Sequence, residues 1–293
     1  MKFPDWLDRA EYPFEPRRVR TRYGELSCVD EGEGETVVLV HGTPTWSFEW
    51  RRVILALRGE RRVIAPDHLG FGLSERPAGA DYSPEAHARR FGECMEAVLA
   101  EGEAVTLVVH DFGGPIALDW ALKNPERVRR LVLVNTWLWS FADDAGMRRK
   151  AALASGGLGR WLYRSCNASL TLIMPSAYGD RRKLTKAVHT QYRAVFPDAD
   201  SRERVLFALA KALLGSSAYY ASLWERRAEL ARMRPAILWG LRDSAFPPTT
   251  LDRLSAAWPE ARVTTFAGAG HWPHEEEPEA FVAALETLLT PAR

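Results

Sequence analysis

Four short apolar runs, each bounded by turn-forming residues, constrain the fold of this chain more than any other feature. They lack the alternation expected of a strand with one solvated face, so they are typical of strands buried on both faces of a parallel sheet. Helical patterns separate them, and strands alternating with helices predict a doubly wound α/β sheet. The runs are TVVLVH (36–41), RRVIAPD (61–67), AVTLVVH (104–110) and RVRRLVLVNT (127–136).

The alternation stops after the fourth run. Residues from about 136 to 232 predict only helices, and the strands PAILWG (235–240) and ARVTTFAG (261–268) then resume the pattern. We therefore predict an α/β core domain of residues 1–135 and 233–293, with a mostly parallel central sheet flanked by helices. A helical cap of residues 136–232 is inserted between two of its strands, where it is expected to act as a lid over a binding site.

Composition excludes several classes of function. The 39 basic and 38 acidic residues give a net charge of +1, so charge gives no reason to expect nucleic acid or an anionic membrane as partner. Cys28, Cys94 and Cys166 are scattered and form no CxxC pair, which argues against a disulfide framework and for a reducing compartment. No apolar stretch has the length of a membrane span, and the first residues do not resemble a signal peptide. We expect a cytoplasmic protein, compatible with a monomer.

Polar residues follow several predicted strands at their carboxyl ends, where parallel sheets collect ligands and catalytic groups. Thr43 lies in the loop after the first strand, Asp111 ends the third, and Asp243 and His271 follow the last two. Asp111, Asp243 and His271 therefore occur in the chain order nucleophile, acid, base. This order predicts a catalytic triad.

The segment VVHDFGGPIAL (108–118) has the strand–turn–helix shape of a nucleophile elbow. Asp111 stands where the G-x-S-x-G pattern has serine, and Val109 stands where it has the first glycine. Gly113 and Gly114 allow the helix to approach the sheet closely. The alternative is that Asp111 only N-caps this helix, but the carboxylate and histidine at two other strand ends favour a catalytic role.

An aspartate nucleophile needs no base, because its ordinary pKa is about 3.9. Its carboxylate can displace a leaving group from a saturated carbon and form an ester. His271, oriented by Asp243, would then activate a water that attacks the ester. The main-chain N–H groups of Thr43 and Phe112 are predicted to form the oxyanion hole.

The other histidines near these strand ends have simpler interpretations. We expect His41, His68 and His110 to brace loops beneath the site and His274 to lie on the surface near the last helix. A metal bound by His271 and His274 is an alternative, for which the sequence indicates no third ligand.

Together these motifs resemble those of the haloalkane dehalogenases of the α/β-hydrolase superfamily, over most of the chain outside the cap. The resemblance implies Asp111 as nucleophile, His271 as base and Asp243 as acid, without a cofactor or metal. It also implies a small apolar organic substrate and water as partners. The segments that carry it are HGTPTWSFEWR (41–51), PDHLGFGLSERP (66–77), VVHDFGGPIAL (108–118), LWGLRDSAF (238–246) and AGHW (269–272).

The halide contacts depart from the family pattern. Haloalkane dehalogenases hold the halide with a tryptophan N–H directly after the nucleophile and often with an asparagine in the HGxP loop. This chain has Phe112, which has no side-chain donor, and Thr43 at these positions. Trp137 and Trp139 are candidate substitutes in the leaving-group pocket, with packing at the cap hinge as the alternative.

Three other functions remain open. Epoxide hydrolases use the same aspartate and activate the epoxide oxygen with cap tyrosines. Beta-lactone decarboxylases related to the dehalogenases would suit a site without strong halide donors. A hydrolase-fold receptor that binds a small ligand with little turnover is the non-enzymatic alternative, and the complete triad argues against it. The cap tyrosines available are Tyr163, Tyr178, Tyr192, Tyr219 and Tyr220.

Overall fold

The computed structural model describes residues 3–290 and contains an eight-stranded sheet. The strands lie in the order β1-β2-β4-β3-β5-β6-β7-β8, and β2 runs antiparallel to both neighbours while the remaining pairs are parallel. This confirms the predicted mostly parallel α/β sheet. The strands are β1 (Arg17–Thr21), β2 (Gly24–Glu31), β3 (Thr36–Val40), β4 (Arg62–Pro66), β5 (Val105–Asp111), β6 (Val128–Thr136), β7 (Ala236–Gly240) and β8 (Arg262–Phe266).

Helices cover the sheet and fill the segment between β6 and β7. β3, β5 and β7 are buried at every position, as their continuous apolar runs predict. The helices are α1 (Arg51–Leu57), α2 (Pro84–Val98), α3 (Gly113–Lys123), α4 (Ala145–Ser155), α5 (Gly157–Cys166), α6 (Met174–Ala177), α7 (Lys186–Ala194), α8 (Ala199–Ser201), α9 (Ala208–Gly215), α10 (Ser217–Glu225), α11 (Arg227–Leu230), α12 (Pro248–Ala257), α13 (Pro273–Glu276) and α14 (Pro278–Leu289). A 3-10 helix, Ser47–Trp50, precedes α1.

The chain between β6 and β7 is helical and contains α4 to α11. The segment 136–232, which we call the cap, begins on the last residue of β6 and ends within a short 3-10 helix, Ala231–Met233. Because β6 and β7 are parallel neighbours, the cap leaves and re-enters the core at the carboxyl end of β6 and the amino end of β7. We propose that it forms a separate layer over the strand ends.

The three cysteines are free, with Cys28 and Cys94 buried and Cys166 exposed. Within residues 3–290, no single helix is long and apolar enough to cross a membrane. One bent pair passes the same test of length and composition, with the helical stretches 199–215 and 217–225 meeting at 61°.

Candidate active site

Asp111 ends β5 in a strained turn. Its φ of +50° lies in the left-handed region, which costs a non-glycine residue about 1–3 kcal/mol. The Thr136 hydroxyl donates to the main-chain oxygen of Asp111 at 2.6 Å and holds this peptide in place. The turn therefore presents the Asp111 side chain at the carboxyl end of the sheet, as the strand–turn–helix pattern predicts.

The Asp111 carboxylate contacts both expected oxyanion donors. Its Oδ1 accepts the Thr43 N–H at 2.9 Å, and the Phe112 N–H also hydrogen-bonds the carboxylate. A Cβ on Gly42 would lie 2.4 Å from Asp111 Oδ1, so only glycine lets this loop approach. α3 is capped at Phe112 without a side-chain hydrogen bond, and the alternative of Asp111 as its N-cap is therefore wrong.

His271 lies between two carboxylates. Its Nε2 is 3.4 Å from Asp111 Oδ2, and its Nδ1 is 2.8 Å from Asp243 Oδ2. Both carboxylates and the imidazole are almost completely buried, with the Asp111 side chain 9% exposed. The structure thus brings together the three residues that the strand ends single out.

Asp243 is held by four donors, one of them from Asn135, which no motif in the sequence assigns to the site. Its Oδ1 accepts the N–H groups of Ala245 and Phe246, and its Oδ2 accepts from His271 and from Asn135 Nδ2 at 2.8 Å. Asn135 Oδ1 in turn accepts the N–H of Gly240. The only signal for Asn135 in the sequence is its position at the end of β6.

The contacts between these residues shift the pKa values of Asp111 and His271. Burial alone would raise the pKa of Asp111, but its hydrogen bond to His271 and the charge of that imidazolium hold it below the ordinary range. Burial alone would lower the pKa of His271, but the charge of Asp243, with the hydrogen bonds and charge of Asp111, raises it to about 10. Asp111 is therefore ionised at neutral pH, and His271 is an imidazolium beside it.

An aromatic group surrounds these residues. Phe112 meets Trp137 edge-on with ring centroids 4.8 Å apart, and Trp137 also packs on Tyr220 and Phe246. The ring centroid of Phe246 is 5.5 Å from that of His271. Trp137 therefore lies in the apolar surroundings of Asp111 and His271, and its place in a leaving-group pocket stays a prediction.

Three buried polar atoms near this group have no hydrogen-bond partner among the described residues. They are Thr43 Oγ1, Trp137 Nε1 and the Tyr220 hydroxyl. Burial raises the pKa of Tyr220, and the charges of Glu85 and Asp111 raise it further, so the hydroxyl keeps its proton. Each of the three can donate a hydrogen bond to a bound molecule.

Trp139 packs away from this group. Its ring meets Trp224 at 5.1 Å between centroids, and the Arg253 guanidinium lies 4.5 Å above it. The expectation of Trp139 in the leaving-group pocket does not fit this position, because β6 ends at Thr136 and the irregular chain beyond it turns the Trp139 ring towards α10 and α12. Its contacts match the alternative of packing at the cap hinge.

Most cap tyrosines already have partners. The Tyr219 hydroxyl donates to the main-chain oxygen of Pro115, Tyr192 to Glu275, and Tyr163 bonds Ser169. The buried Tyr178 hydroxyl is unpaired, but its ring is stacked on Trp272. Among the five tyrosines considered for epoxide activation, Tyr220 combines an unpaired hydroxyl with packing on Trp137.

His274 is completely buried, so its prediction as a surface residue is wrong. α13 turns inward directly after His271, and the His274 ring stacks on Trp50 with centroids 4.1 Å apart. The acidic run that follows looks exposed in the sequence, but Glu275 pairs with buried Arg51 at 2.6 Å. Partners distant in the sequence make this burial possible.

Glu49 lies near His274 and His110 and adds a third potential metal ligand, which no pattern in the sequence indicates. Its Oε1 lies 3.1 Å from His110 Nδ1 and 3.8 Å from His274 Nε2. The potential ligand atoms of Glu49, His110 and His274 all lie within 4.8 Å of one another, a spacing that could hold a metal ion. His271 is not part of that group, because both its ring nitrogens face carboxylates.

His41 and His68 brace the loops beneath the site, as predicted. The His68 N–H donates to His41 Nε2 at 3.0 Å, and His68 Nε2 donates to the main-chain oxygen of His41 at 2.9 Å. Asp67 accepts the N–H groups of Ser47 and Leu73 and joins the same two loops. These bonds fix the loop that carries Thr43.

Comparison with known proteins agrees with this architecture. The family model described as alpha/beta hydrolase fold matches residues 35–278. Haloalkane dehalogenase 2 of Mycobacterium tuberculosis is 36% identical over 285 residues, covering 95% of this chain and 96% of that protein. The cis-3-alkyl-4-alkyloxetan-2-one decarboxylase of Xanthomonas campestris is 33% identical over 293 residues, covering 95% and 97%.

Solved structures give the same fold. A putative ancestral haloalkane dehalogenase has a TM-score of 0.80 at 25% identity, over 92% of this chain and 99% of its own. A haloalkane dehalogenase from Agrobacterium tumefaciens has a TM-score of 0.78 at 23% identity, over 94% of this chain and 96% of its own, and supports the fold alone.

Proposed function

Because this chain belongs to the haloalkane dehalogenase family of α/β-hydrolases, we propose that it hydrolyses a carbon–halogen bond in a small apolar substrate through an ester on Asp111. The observation that carries the proposal is the set of contacts of one carboxylate. Asp111 Oδ1 is held by the Thr43 N–H, and Oδ2 lies 3.4 Å from His271, which is paired with Asp243. One oxygen is fixed, and the other is available for attack.

In the first step, Asp111 Oδ2 attacks the carbon that carries the halogen. The new C–O bond forms as the C–X bond breaks, and the halide leaves with the bonding electrons. Oδ1 becomes the ester carbonyl oxygen while it keeps its bond from the Thr43 N–H. No proton transfer is needed, because the low pKa of Asp111 keeps this carboxylate ionised.

In the second step, His271 acts as the base. The ester has no negative charge, so one of the two carboxylates that raise the pKa of His271 is lost. The imidazolium then releases its proton to the solvent, and this is the proton that accompanies the departing halide. Neutral His271 then takes a proton from water, whose oxygen attacks the Asp111 Cγ. The oxyanion develops on Oδ1 beside the N–H groups of Thr43 and Phe112. Its collapse breaks the Cγ–Oδ2 bond, and the His271 imidazolium gives its proton to the departing Oδ2 to form the alcohol. The carboxylic acid left on Asp111 then passes its proton to His271, which restores the carboxylate.

For the halide, we assign Trp137 Nε1 as the donor that Phe112 cannot supply. Trp137 packs edge-on against Phe112, and its N–H is buried without a partner. An unpaired buried donor costs free energy until a ligand accepts its hydrogen bond. Tyr220 and Thr43 offer further donors from the cap and from the loop after β3.

A beta-lactone decarboxylation is the second candidate, and the replacement of a halide donor by Phe112 favours it. Attack of Asp111 on the saturated ring carbon bonded to the ring oxygen would break that C–O bond and leave a carboxylate on the substrate. Loss of CO2 from that carboxylate would form a carbon–carbon double bond and expel Asp111 as its carboxylate. A carboxylate can accept hydrogen bonds at two oxygens, which suits the separated hydroxyls of Thr43 and Tyr220. The oxetanone decarboxylase relative, at 33% identity, supports keeping this chemistry in the test.

Trapping the ester distinguishes these functions. His271→Phe removes the base, so an alkylated Asp111 should persist after incubation with 1-bromobutane or a simple epoxide. Decarboxylation of a beta-lactone needs no base and should instead release CO2 and an alkene from the same variant. Intact mass and peptide mapping identify the substrate class that leaves an adduct. The matched control is Asp111→Asn in the same background, which should give none. A folded His271→Phe protein that forms no adduct and releases no CO2 from the lactone would contradict the aspartyl-ester mechanism.

The cap lies beside the residues of the proposed site. We propose that the cap at 136–232 closes the site to bulk water, since Tyr220 from α10 packs on Trp137 beside the triad.

We also propose a cytoplasmic location, which the three free cysteines support. Fractionation of the native host cells would test the location.

A further inference from the structure

A second acid–histidine pair lies directly behind His271. His110 precedes Asp111 on β5, and its ring centroid is 4.7 Å from that of His271. We propose that Glu49 and His110 are positioning residues that hold the main chain of His271 in register with Asp111 during ester hydrolysis. This inference rests on the proposed function.

The main chain of His271 is held from two sides. His110 Nε2 donates to the main-chain oxygen of His271 at 2.9 Å, and the His271 N–H donates to the main-chain oxygen of Ala177 in the cap at 2.8 Å. His110 and Asp111 are consecutive in the chain. The His110 bond is therefore a direct link between the nucleophile strand and the loop that carries the base.

The link requires one particular form of the His110 ring. A carbonyl oxygen can only accept a hydrogen bond, so His110 Nε2 must carry a proton. Its Nδ1 faces Glu49 Oε1 at 3.1 Å, and both side chains are fully buried. Either Glu49 is a carboxylic acid that donates to Nδ1, or the proton is on Nδ1 and Glu49 is a carboxylate.

Both arrangements place zero net charge behind His271. Burial raises the pKa of Glu49, and the interaction with His110 opposes this rise. A neutral pair does not oppose the charge that His271 gains when it takes a proton from water. Without a donor at position 49, neutral His110 could carry its proton on Nδ1 instead. Its Nε2 lone pair would then face the carbonyl oxygen of His271, and the link would be lost.

The two chemical steps depend on this link to different extents. Attack by Asp111 needs only its own carboxylate, whose Oδ1 is held by the main-chain N–H of Thr43. Hydrolysis of the ester needs a water held between His271 Nε2 and Asp111 Cγ. A misplacement of a catalytic group by about 1 Å can cost about a hundredfold in rate. Loss of the link should therefore slow hydrolysis far more than ester formation.

The matched variants are Glu49→Gln and Glu49→Met. A glutamine amide can donate to His110 Nδ1 and preserve the Nε2–H form, whereas methionine fills similar space without a donor. Rapid quench and intact mass measure ester formation and hydrolysis separately, with the substrate that leaves an adduct on His271→Phe. We expect Glu49→Met to slow hydrolysis by about tenfold or more and to accumulate ester, with its formation within about threefold of the parent. Glu49→Gln should restore hydrolysis to within about threefold.

Imidazole nitrogen spectra of the ¹⁵N-labelled parent test the inference without substrate. We expect His110 to carry a proton on Nε2 in the parent and in Glu49→Gln. A neutral Nδ1–H form in the parent would overturn the inference, as would equal effects of Gln and Met on both steps. Leu26→Ala, a buried truncation on β2, controls for general destabilisation.

A metal site and a failure of the proposed function would each give a different result. Elemental analysis of the parent measures bound metal. One divalent ion per protein molecule, lost in both Glu49 variants, would mean that Glu49, His110 and His274 bind a metal, and would overturn the proposed hydrogen bond between Glu49 and His110. If no adduct forms on the His271→Phe variant, the proposed function is contradicted instead. In that case the imidazole spectra still decide whether His110 holds the loop in the predicted form.

Discussion

At the residue scale, the chemistry of Asp111 depends on its neighbours more than on its own side chain. Its positive φ is maintained by the Thr136 hydroxyl, and its carboxylate is approached by a loop that needs glycine at position 42. Asp111 could be predicted as the candidate nucleophile from the order of the polar residues at the strand ends. The support from Asn135, Thr136 and Glu49 could not, because these residues act through contacts that no local pattern encodes.

Trp137 and Trp139 provide a matched test of the leaving-group assignment. Trp137→Phe removes the unpaired N–H beside Phe112, so we expect bromoalkane turnover to fall by about tenfold, the typical effect of losing about 1.4 kcal/mol of hydrogen bonding. Trp139→Phe should change turnover by less than about twofold, because its ring packs on Trp224 and Arg253. Steady-state halide release measures both. Equal losses in the two variants would contradict the assignment.

At the element scale, the strands could be predicted well and α13 could not. Continuous apolar runs identify strands buried on both faces, and all six runs quoted from the sequence correspond to strands. α13 reads as exposed because three glutamates follow His274. Arg51 forms an ion pair with Glu275, and the main chain of the cap donates hydrogen bonds to Glu276. A single sequence does not indicate such long-range partners.

Glu276 on α13 connects the loop that carries His271 to the cap. Its buried carboxylate accepts N–H groups from Gly270 at 2.7 Å, Gly179 at 3.2 Å and Asp180 at 3.0 Å. Glu276→Ala leaves three donors without this acceptor, and we expect it to lower the free energy of unfolding by about 3 kcal/mol. Urea denaturation measures the change. The exposed Glu279→Ala should cost less than about 1 kcal/mol, and an equally small loss in Glu276→Ala would show that the connection contributes little.

At the scale of the whole molecule, the triad couples stability to pH. Folding raises the pKa of His271 from about 6.5 to about 10, so the folded state binds the imidazole proton more tightly than the unfolded state. This contribution is fully present below about pH 6.5 and is lost as the pH rises towards 10. Asp111→Asn removes one of the charges that raise this pKa. We therefore expect a smaller fall in unfolding free energy for Asp111→Asn than for the parent between pH 7 and 10.

Chemical denaturation at several pH values measures this difference. Asp119→Asn on α3 is the control, because it removes an aspartate that pairs with Lys123 on the surface and should leave the pH dependence as in the parent. Identical slopes in all three proteins would mean that His271 does not hold an extra proton in the folded state.

The origin of the oxygen in the product tests the central claim most directly. In a single turnover of the parent enzyme in H₂¹⁸O, the ester mechanism transfers an oxygen of Asp111 to the alcohol, and water replaces it in the carboxylate. We predict an unlabelled alcohol and one ¹⁸O atom in the peptide that contains Asp111, both measured by mass spectrometry. Labelled alcohol with an unlabelled Asp111 would mean that water attacks the substrate directly, and would contradict the nucleophilic role of Asp111.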